Sequence, residues 1–291
     1  MNYFELKKIY EEKFLKSNIE ETADIDWIIV EITGKQRSML PFISDFSEDE
    51  LEKITQALEK RLKHIPFGYI FGKTEFYGRE FFVSNDTLIP RIDTEILTLT
   101  ATNFINEKIK DNQSFSLNNK VSVLDIGTGT GIIAITLNLE TKADVTAVDI
   151  SEKALEIAMK NSKNLNSNVK FFRSNLFENI GDEKFDFIVS NPPYIKSNVC
   201  LELEPEVRLN EPILALDGGE DGLFFYKSII EKAKNYLKND GMLIFEIGYD
   251  QGEEISNLMK KDFENITVVK DYSNNDRVVY GKLRSNIWLK D

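Results

Sequence analysis

Cysteine and histidine are almost absent: among 291 residues there is one of each, Cys200 and His64. A lone cysteine excludes intramolecular disulfides and cysteine-rich zinc sites, so no metal centre is expected. It also suits a reducing compartment. Nothing near Cys200 in sequence points to an activated thiol, and His64, without an obvious partner, reads as an ordinary helix-end residue. Long apolar runs are missing too, since none approaches the roughly 20 residues a membrane span needs. The N-terminal residues carry an acid by position 5 and no apolar signal core. Neither secretion nor organelle import is indicated, and the cytoplasm is the expected compartment. Positive charge is in short supply, with 36 basic against 49 acidic residues and a formal charge of −13. Neutralised phosphates supply most nucleic-acid affinity, so the balance argues against direct nucleic-acid binding.

What is present is an ordinary globular composition, 42% hydrophobic and 29% charged, organised in two styles. The first 70 residues read as short helices. Phe4, Leu6, Ile9, Tyr10 and Phe14 recur near helical spacing, then Trp27, Ile28, Val30 and Ile32, then Leu51, Ile54, Leu58 and Leu62, and such stripes are expected to be core. Ser47, followed by three acids, is the expected N-cap of the third helix. Residues 75–83 place aromatics around Gly78 and predict a β-hairpin. A helix is expected over about 93–109, then a polar loop over 110–120.

From residue 121 strands alternate with helices, which predicts a parallel sheet covered on both faces. Strands are expected at 121–126, 145–148, 169–172 and 185–190. After an insertion over 195–222 come a helix, a strand at 242–247, a second helix and two closing strands, 266–270 and 277–283. The acidic run Glu202, Glu204, Glu206 in the insertion reads as a solvated face.

The first of these strands runs into Asp125-Ile126-Gly127-Thr128-Gly129-Thr130-Gly131. Glycines there let the backbone turn sharply and approach a ligand at the mouth of the sheet. The dinucleotide fingerprint would need glycine at 132, where Ile132 stands, so a pyrophosphate reader is disfavoured. Asp149 ends the second strand, where its carboxylate can accept both ribose hydroxyls of an adenosine. Glycine loop and terminal acid together resemble the class I methyltransferase pattern for S-adenosylmethionine. In that pattern Asn175 and Leu176, after the third strand, fall where the adenine is contacted.

The fourth strand ends in Asn191-Pro192-Pro193-Tyr194. Paired prolines stiffen the backbone and leave its carbonyls outside any continuing ladder. An amide nitrogen is a poor nucleophile, but it can attack a sulfonium methyl if held in line with its hydrogens accepted by fixed groups. The Asn191 side-chain oxygen and the Pro192 carbonyl are the candidate acceptors, and Tyr194 can cover the planar face of the substrate. Positioning and electrostatics then carry the rate without a strong base.

With these motifs the chain resembles the protein-(glutamine-N5) methyltransferase family that modifies peptide chain release factors. The likeness spans most of the chain. It includes Ile65-Pro66-Phe67-Gly68-Tyr69-Ile70-Phe71-Gly72, Glu75-Phe76-Tyr77-Gly78, and Leu88-Ile89-Pro90-Arg91-Ile92-Asp93-Thr94-Glu95, which is similar to a P-R-P-E-T-E stretch. After the glycine loop and the tetrapeptide follow Glu211-Pro212, Gly218-Gly219-Glu220-Asp221-Gly222, Glu246-Ile247-Gly248 with Gln251, and Asp276-Arg277. The resemblance implies a class I (Rossmann-like) α/β methyltransferase sheet at 91–291, a small helical substrate-recognition domain at 1–70 and a β-hairpin linker at 71–90.

The cofactor implied is S-adenosylmethionine, and the substrate is the glutamine of a release factor's Gly-Gly-Gln tripeptide. Gly127, Thr128, Gly129, Thr130, Gly131, Asp149, Asn175, Leu176 and Asn191 are then cofactor contacts, and Asn191, Pro192, Pro193 and Tyr194 hold the glutamine. Arg91 is a further pocket candidate, with a surface or interdomain salt bridge as its other reading. Glu246 either supports the site from behind or only the fold. Ile92 and Asp93 depart from the family's Pro and Glu, and Asn175 from a common Asp. The competing function is a nucleic-acid methyltransferase acting on an exocyclic amine of adenine or guanine, because the same tetrapeptide serves such amines. A non-catalytic adapter is disfavoured by the intact motifs.

Overall fold

The computed structural model describes residues 1–115 and 120–285, and the chain divides into two compact units, Met1–Gly72 with Glu204–Asn210, and Lys73–Leu203 with Glu211–Asp291. In the first unit, α1 (Tyr3–Lys16), α2 (Ala23–Thr33), a 3-10 turn (Arg37–Phe42), α3 (Glu48–Arg61) and α4 (Phe67–Phe71) follow in order. Capping boxes start α1, Asn2 with Glu5, and α3, Ser47 with Glu50, each satisfying two orphan N–H groups. The buried stripe of α1 is Tyr3, Leu6, Tyr10 and Phe14. Phe4 and Ile9, expected in the core, are exposed, as is Trp27, because each helix buries one stripe, which on α1 contains Tyr3 and on α2 contains Ile25, Ile28 and Ile29.

Arg61 at the end of α3 is almost fully buried. Its Nε meets Asp24 at 2.7 Å and its Nη2 meets Glu206 at 2.6 Å. A buried guanidinium requires such partners, so Glu206 is the counter-ion of a buried cation rather than part of a solvated face. Residue 64 sits in the left-handed region, φ 60°, and its carbonyl accepts from Asn210 Nδ2 at 2.8 Å.

The second unit opens with the hairpin β1 (Lys73–Phe76) and β2 (Arg79–Phe82), turned at Tyr77 and Gly78. Next come α5 (Thr94–Phe115), β3 (Ser122–Ile126), α6 (Ile132–Thr141), β4 (Asp144–Asp149), α7 (Glu152–Asn164), β5 (Lys170–Arg173) and β6 (Phe185–Ser190). The insertion holds α8 (Ser197–Cys200), α9 (Pro205–Asn210), which groups with the first unit, and a 3-10 turn (Ile213–Ala215). The chain continues through α10 (Phe224–Ala233), β7 (Leu237–Glu246), α11 (Gly252–Met259), β8 (Phe263–Lys270) and β9 (Asp276–Leu283). Helix α5 outruns its expected end because residues 110–115 contain no Gly or Pro to stop it. The rest of the expected polar loop, 116–119, lies outside the described residues, as do residues 286–291.

The strands form one seven-stranded sheet in the order β5-β4-β3-β6-β7-β9-β8. β9 alone runs opposite to the other six strands. Alternate residues feed opposite faces: Val123, Phe187 and Val189 join α5 and α6 in one core, while Leu124, Ile188 and Phe245 join α10 and α11 in the other. Because both faces are covered, β6 is buried along its whole length. Among the described residues, no helix is long and apolar enough to cross a membrane.

Candidate active site

The strand order reverses between β3 and β6, and a doubly wound sheet opens a crevice at that point, beyond the carboxyl ends of its strands. Register makes the crevice specific. Ile126 pairs with both Val148 and Ser190, and Ser190 pairs with Phe245. The next residues on these strands, Asp149, Gly127, Asn191 and Glu246, therefore stand in one row at the carboxyl end of the sheet. Strands lie about 4.8 Å apart, so the row is about 14 Å long. The Ser190 hydroxyl, donating to the Ile126 carbonyl at 2.7 Å, ties β3 and β6 at this level.

A cavity of about 440 Å³ lies over the row. Its wall includes Arg91, residues 127–130, Asp149, Asn175, Leu176 and residues 191–193. Gly131 and Tyr194, also expected at the site, do not line it. Gly131 has φ 82°, and a Cβ there would come within 2.9 Å of Ile135 and 3.1 Å of Ala158. Its bareness lets α6 start close against α7, a packing role. The Tyr194 ring packs on the core beneath α10 and α11. Burial, then the nearby Glu246 charge, push its phenol up to about 12, so it stays neutral.

The loop is anchored from β4. Gly127 and Thr128 donate their N–H groups to the Val148 carbonyl at 2.9 and 3.0 Å. Gly129 N–H donates to one Asp149 carboxylate oxygen and Ser151 N–H to the other, both at 2.9 Å. Burial raises the Asp149 pKa, and these N–H groups oppose the rise. A Cβ added at Gly127 or Gly129 would meet no atom within 4 Å, so the bare backbone leaves space for a ligand. Asp125, wholly buried, is pushed up to about 7 by burial, with Thr128 donating to it at 2.6 Å. Asn175 is exposed and gives its amide nitrogen to Glu178, which leaves its oxygen for a ligand.

Asn161 was not legible as part of the site. Wholly buried on α7, it accepts from Phe82 N at 2.7 Å and donates to the carbonyls of Phe82 and Thr130, at 3.0 and 2.9 Å. It clamps the hairpin to the glycine loop. The available signal was a polar residue continuing the apolar stripe Ala154, Leu155, Ala158.

The tetrapeptide is braced from behind. Ile195 N–H donates to Leu216 and Gly218 N–H returns to Ile195, at 3.0 and 2.8 Å. Gln251 Nε2 donates to the carbonyls of Tyr194 and Gly222 at 3.1 and 3.3 Å. Among the described residues no donor reaches the Pro192 carbonyl. Gly222 has φ 75°, and a Cβ there would fall 2.5 Å from the Tyr194 oxygen. Gly222→Ala should cost about 2 kcal/mol or more in urea titration, against about 1 for Gly34→Ala, whose added methyl meets only open space. Equal costs would show that the brace does not matter. Arg91 lines the cavity and pairs with the buried Glu211 of the same unit, so its salt bridge is not an interdomain one. Asp93, off the family pattern, pairs with Arg277 at 3.1 Å.

The profile described as the methyltransferase small domain matches residues 100–203, and that described as the PrmC N-terminal domain matches residues 10–72. The chain is 38% identical over 290 residues to a release factor glutamine methyltransferase of Bacillus subtilis (strain 168), covering 97% of this chain and 98% of the relative. It is 40% identical over 280 residues to one of Fusobacterium nucleatum, covering 93% and 76%. Among solved structures, the catalytic domain of hMettl16 in complex with MAT2A 3'UTR hairpin 6 is similar with a TM-score of 0.55 over 84% of this chain and 85% of that one. At 16% identity this likeness shows the fold alone. The near full-length matches at close to 40% identity, on a chain with this sheet and this site, show that it belongs to the release factor glutamine methyltransferase family.

Proposed function

We propose that this chain transfers a methyl group from S-adenosylmethionine to the side-chain amide nitrogen, N5, of the glutamine in the Gly-Gly-Gln motif of peptide chain release factors. The observation that carries the proposal is the row of strand ends. It sets the glycine loop and the Asp149 carboxylate beside a tetrapeptide whose Asn191, Pro192 and Pro193 line the same cavity. S-adenosylmethionine, when bound, supplies an electrophilic methyl on a positively charged sulfur. Gly127, Thr128, Gly129 and Thr130 would border it, Asp149 would accept its ribose hydroxyls, and Leu176 with Asn175 would meet the adenine.

The Asn191 amide nitrogen faces Thr94, donating to its hydroxyl at 3.3 Å, which turns Oδ1 the other way. Oδ1 and the Pro192 carbonyl then accept the two hydrogens of a substrate amide and aim its nitrogen lone pair. Pro193 stiffens that carbonyl. Tyr194, neutral and packed, holds the tetrapeptide in place and offers no base. Arg91 is exposed enough to meet the substrate backbone while Glu211 orients it. The acidic net charge supports a protein substrate over a nucleic acid, and a substrate used in translation supports a cytoplasmic location.

Transfer of labelled methyl to a release factor, and not to its Gln→Ala variant at the acceptor, is the expected result. Labelling of DNA or RNA oligonucleotides with none of the release factor would overturn the proposal.

A further inference from the structure

We infer that Glu246 acts, through Thr94, as a positioning residue that fixes which end of the Asn191 amide faces the substrate. The inference rests on the function proposed above.

Glu246 ends β7 in the same row as Asn191, one strand away. Thr94, the first residue of α5, neighbours both: Asn191 Nδ2 donates to its Oγ1 at 3.3 Å, and the side chains of Thr94 and Asn191 both favour the charged form of the Glu246 carboxylate. Thr94 and Glu246 are each 1% exposed. Oε2 of Glu246 is buried without a hydrogen-bond partner among the described residues, an arrangement that stability alone would not favour.

An ionised carboxylate can only accept. Facing one, Thr94 turns its single proton toward Glu246, and its lone pairs are left for the Asn191 N–H. The amide nitrogen is thereby drawn inward and the oxygen outward, where a substrate N–H needs an acceptor. A protonated Glu246 can donate instead. Thr94 would then offer its proton to Asn191 Oδ1, and the amide would present N–H groups to the substrate's own N–H groups, which repel.

Burial raises the Glu246 carboxyl to about 7. Thr94, Arg277 and Asn191 favour its ionised form, and Asp93 opposes it. Other groups facing this region are Tyr226 on α10, whose hydroxyl donates to the Glu246 backbone carbonyl at 2.8 Å, neutral Tyr194, and Asp271, paired with Arg277. The productive orientation therefore prevails above neutral pH and is lost as Glu246 takes a proton.

The test uses the full-length protein with a release factor and S-adenosylmethionine. Single-turnover rates are followed over about pH 5.5–8.5, and cofactor dissociation constants are measured by calorimetry. Wild type should slow by about tenfold per pH unit below neutrality. Glu246→Gln should be slower by about thirtyfold or more at pH 8, should lack that acid limb, and should bind cofactor within about threefold of wild type. Thr94→Ala should behave likewise, and Thr94→Ser, which keeps the hydroxyl, should recover most of the rate. If Glu246→Gln does not fold, the Thr94 pair decides.

A wild-type rate and acid limb in Glu246→Gln would overturn the inference, as would Thr94→Ser no faster than Thr94→Ala. Failure of the wild type itself to methylate any release factor would instead overturn the function proposed above, so the two failures are distinguishable.

Discussion

Asn191→Ala should lower kcat by about 10²–10³-fold while leaving the dissociation constant for S-adenosylmethionine within a few-fold of wild type. The asymmetry follows from where the side chain acts. Its nitrogen is held by Thr94, and the oxygen this turns outward is one of the two acceptors proposed to hold the attacking amide. Delocalisation makes that amide unreactive unless its hydrogens are accepted and its nitrogen is aligned, so misplacement damages the chemical step most. The other acceptor, the Pro192 carbonyl, belongs to the backbone and survives the substitution, which keeps the loss finite. Rapid-quench single turnover beside calorimetric titration separates the two quantities. An equal loss in rate and in cofactor affinity would mean that Asn191 builds the cofactor site instead.

Asp149→Ala should show the opposite split. Its carboxylate is the acceptor proposed for two ribose hydroxyls, and hydrogen bonds to a charged group contribute about 1.5–3 kcal/mol each, so cofactor affinity should fall by about 10²–10⁴-fold. The same carboxylate receives the N–H groups of Gly129 and Ser151, so the substitution also loosens the glycine loop it would cradle the cofactor with. At saturating cofactor, much of the rate should return. Affinity unchanged by this substitution would remove Asp149 from the cofactor site.

Legibility differed sharply between these two residues and their supports. Asp149 and Asn191 stand at the ends of strongly apolar strands, and strand ends are where an alternating β/α pattern puts its chemistry. Asn161, Gln251, Glu211 and Thr94 carry comparable structural weight, but what each of them touches is set by partners far away in sequence. Asn161 looks like any polar helix residue until β2 is found against it, 79 residues away in sequence. Glu206 looked like surface because the guanidinium it neutralises, Arg61, lies 145 residues earlier. The surplus of apolar residues on α1 could not show that Phe4 and Ile9 face solvent, because several helical faces fit the same spacing. Gly131 read as one of a glycine set, and only the nearness of Ala158 separates its packing role from the open positions of Gly127 and Gly129.

The amino-acid sequence by itself determined the α/β alternation, the helical segment ahead of it, the glycine loop with its terminal acid and the tetrapeptide. Each of these is a local matter of periodicity, backbone freedom or side-chain chemistry. Tertiary structure decided what those pieces do together. Pairing of Ile126 with Val148 and Ser190 is a register, and register depends on long-range ladders that no single segment encodes. That register alone brings Asp149, Gly127, Asn191 and Glu246 into one row, the first three on the wall of one cavity, and so joins the proposed cofactor cradle, the proposed amide acceptors and the buried carboxylate behind them.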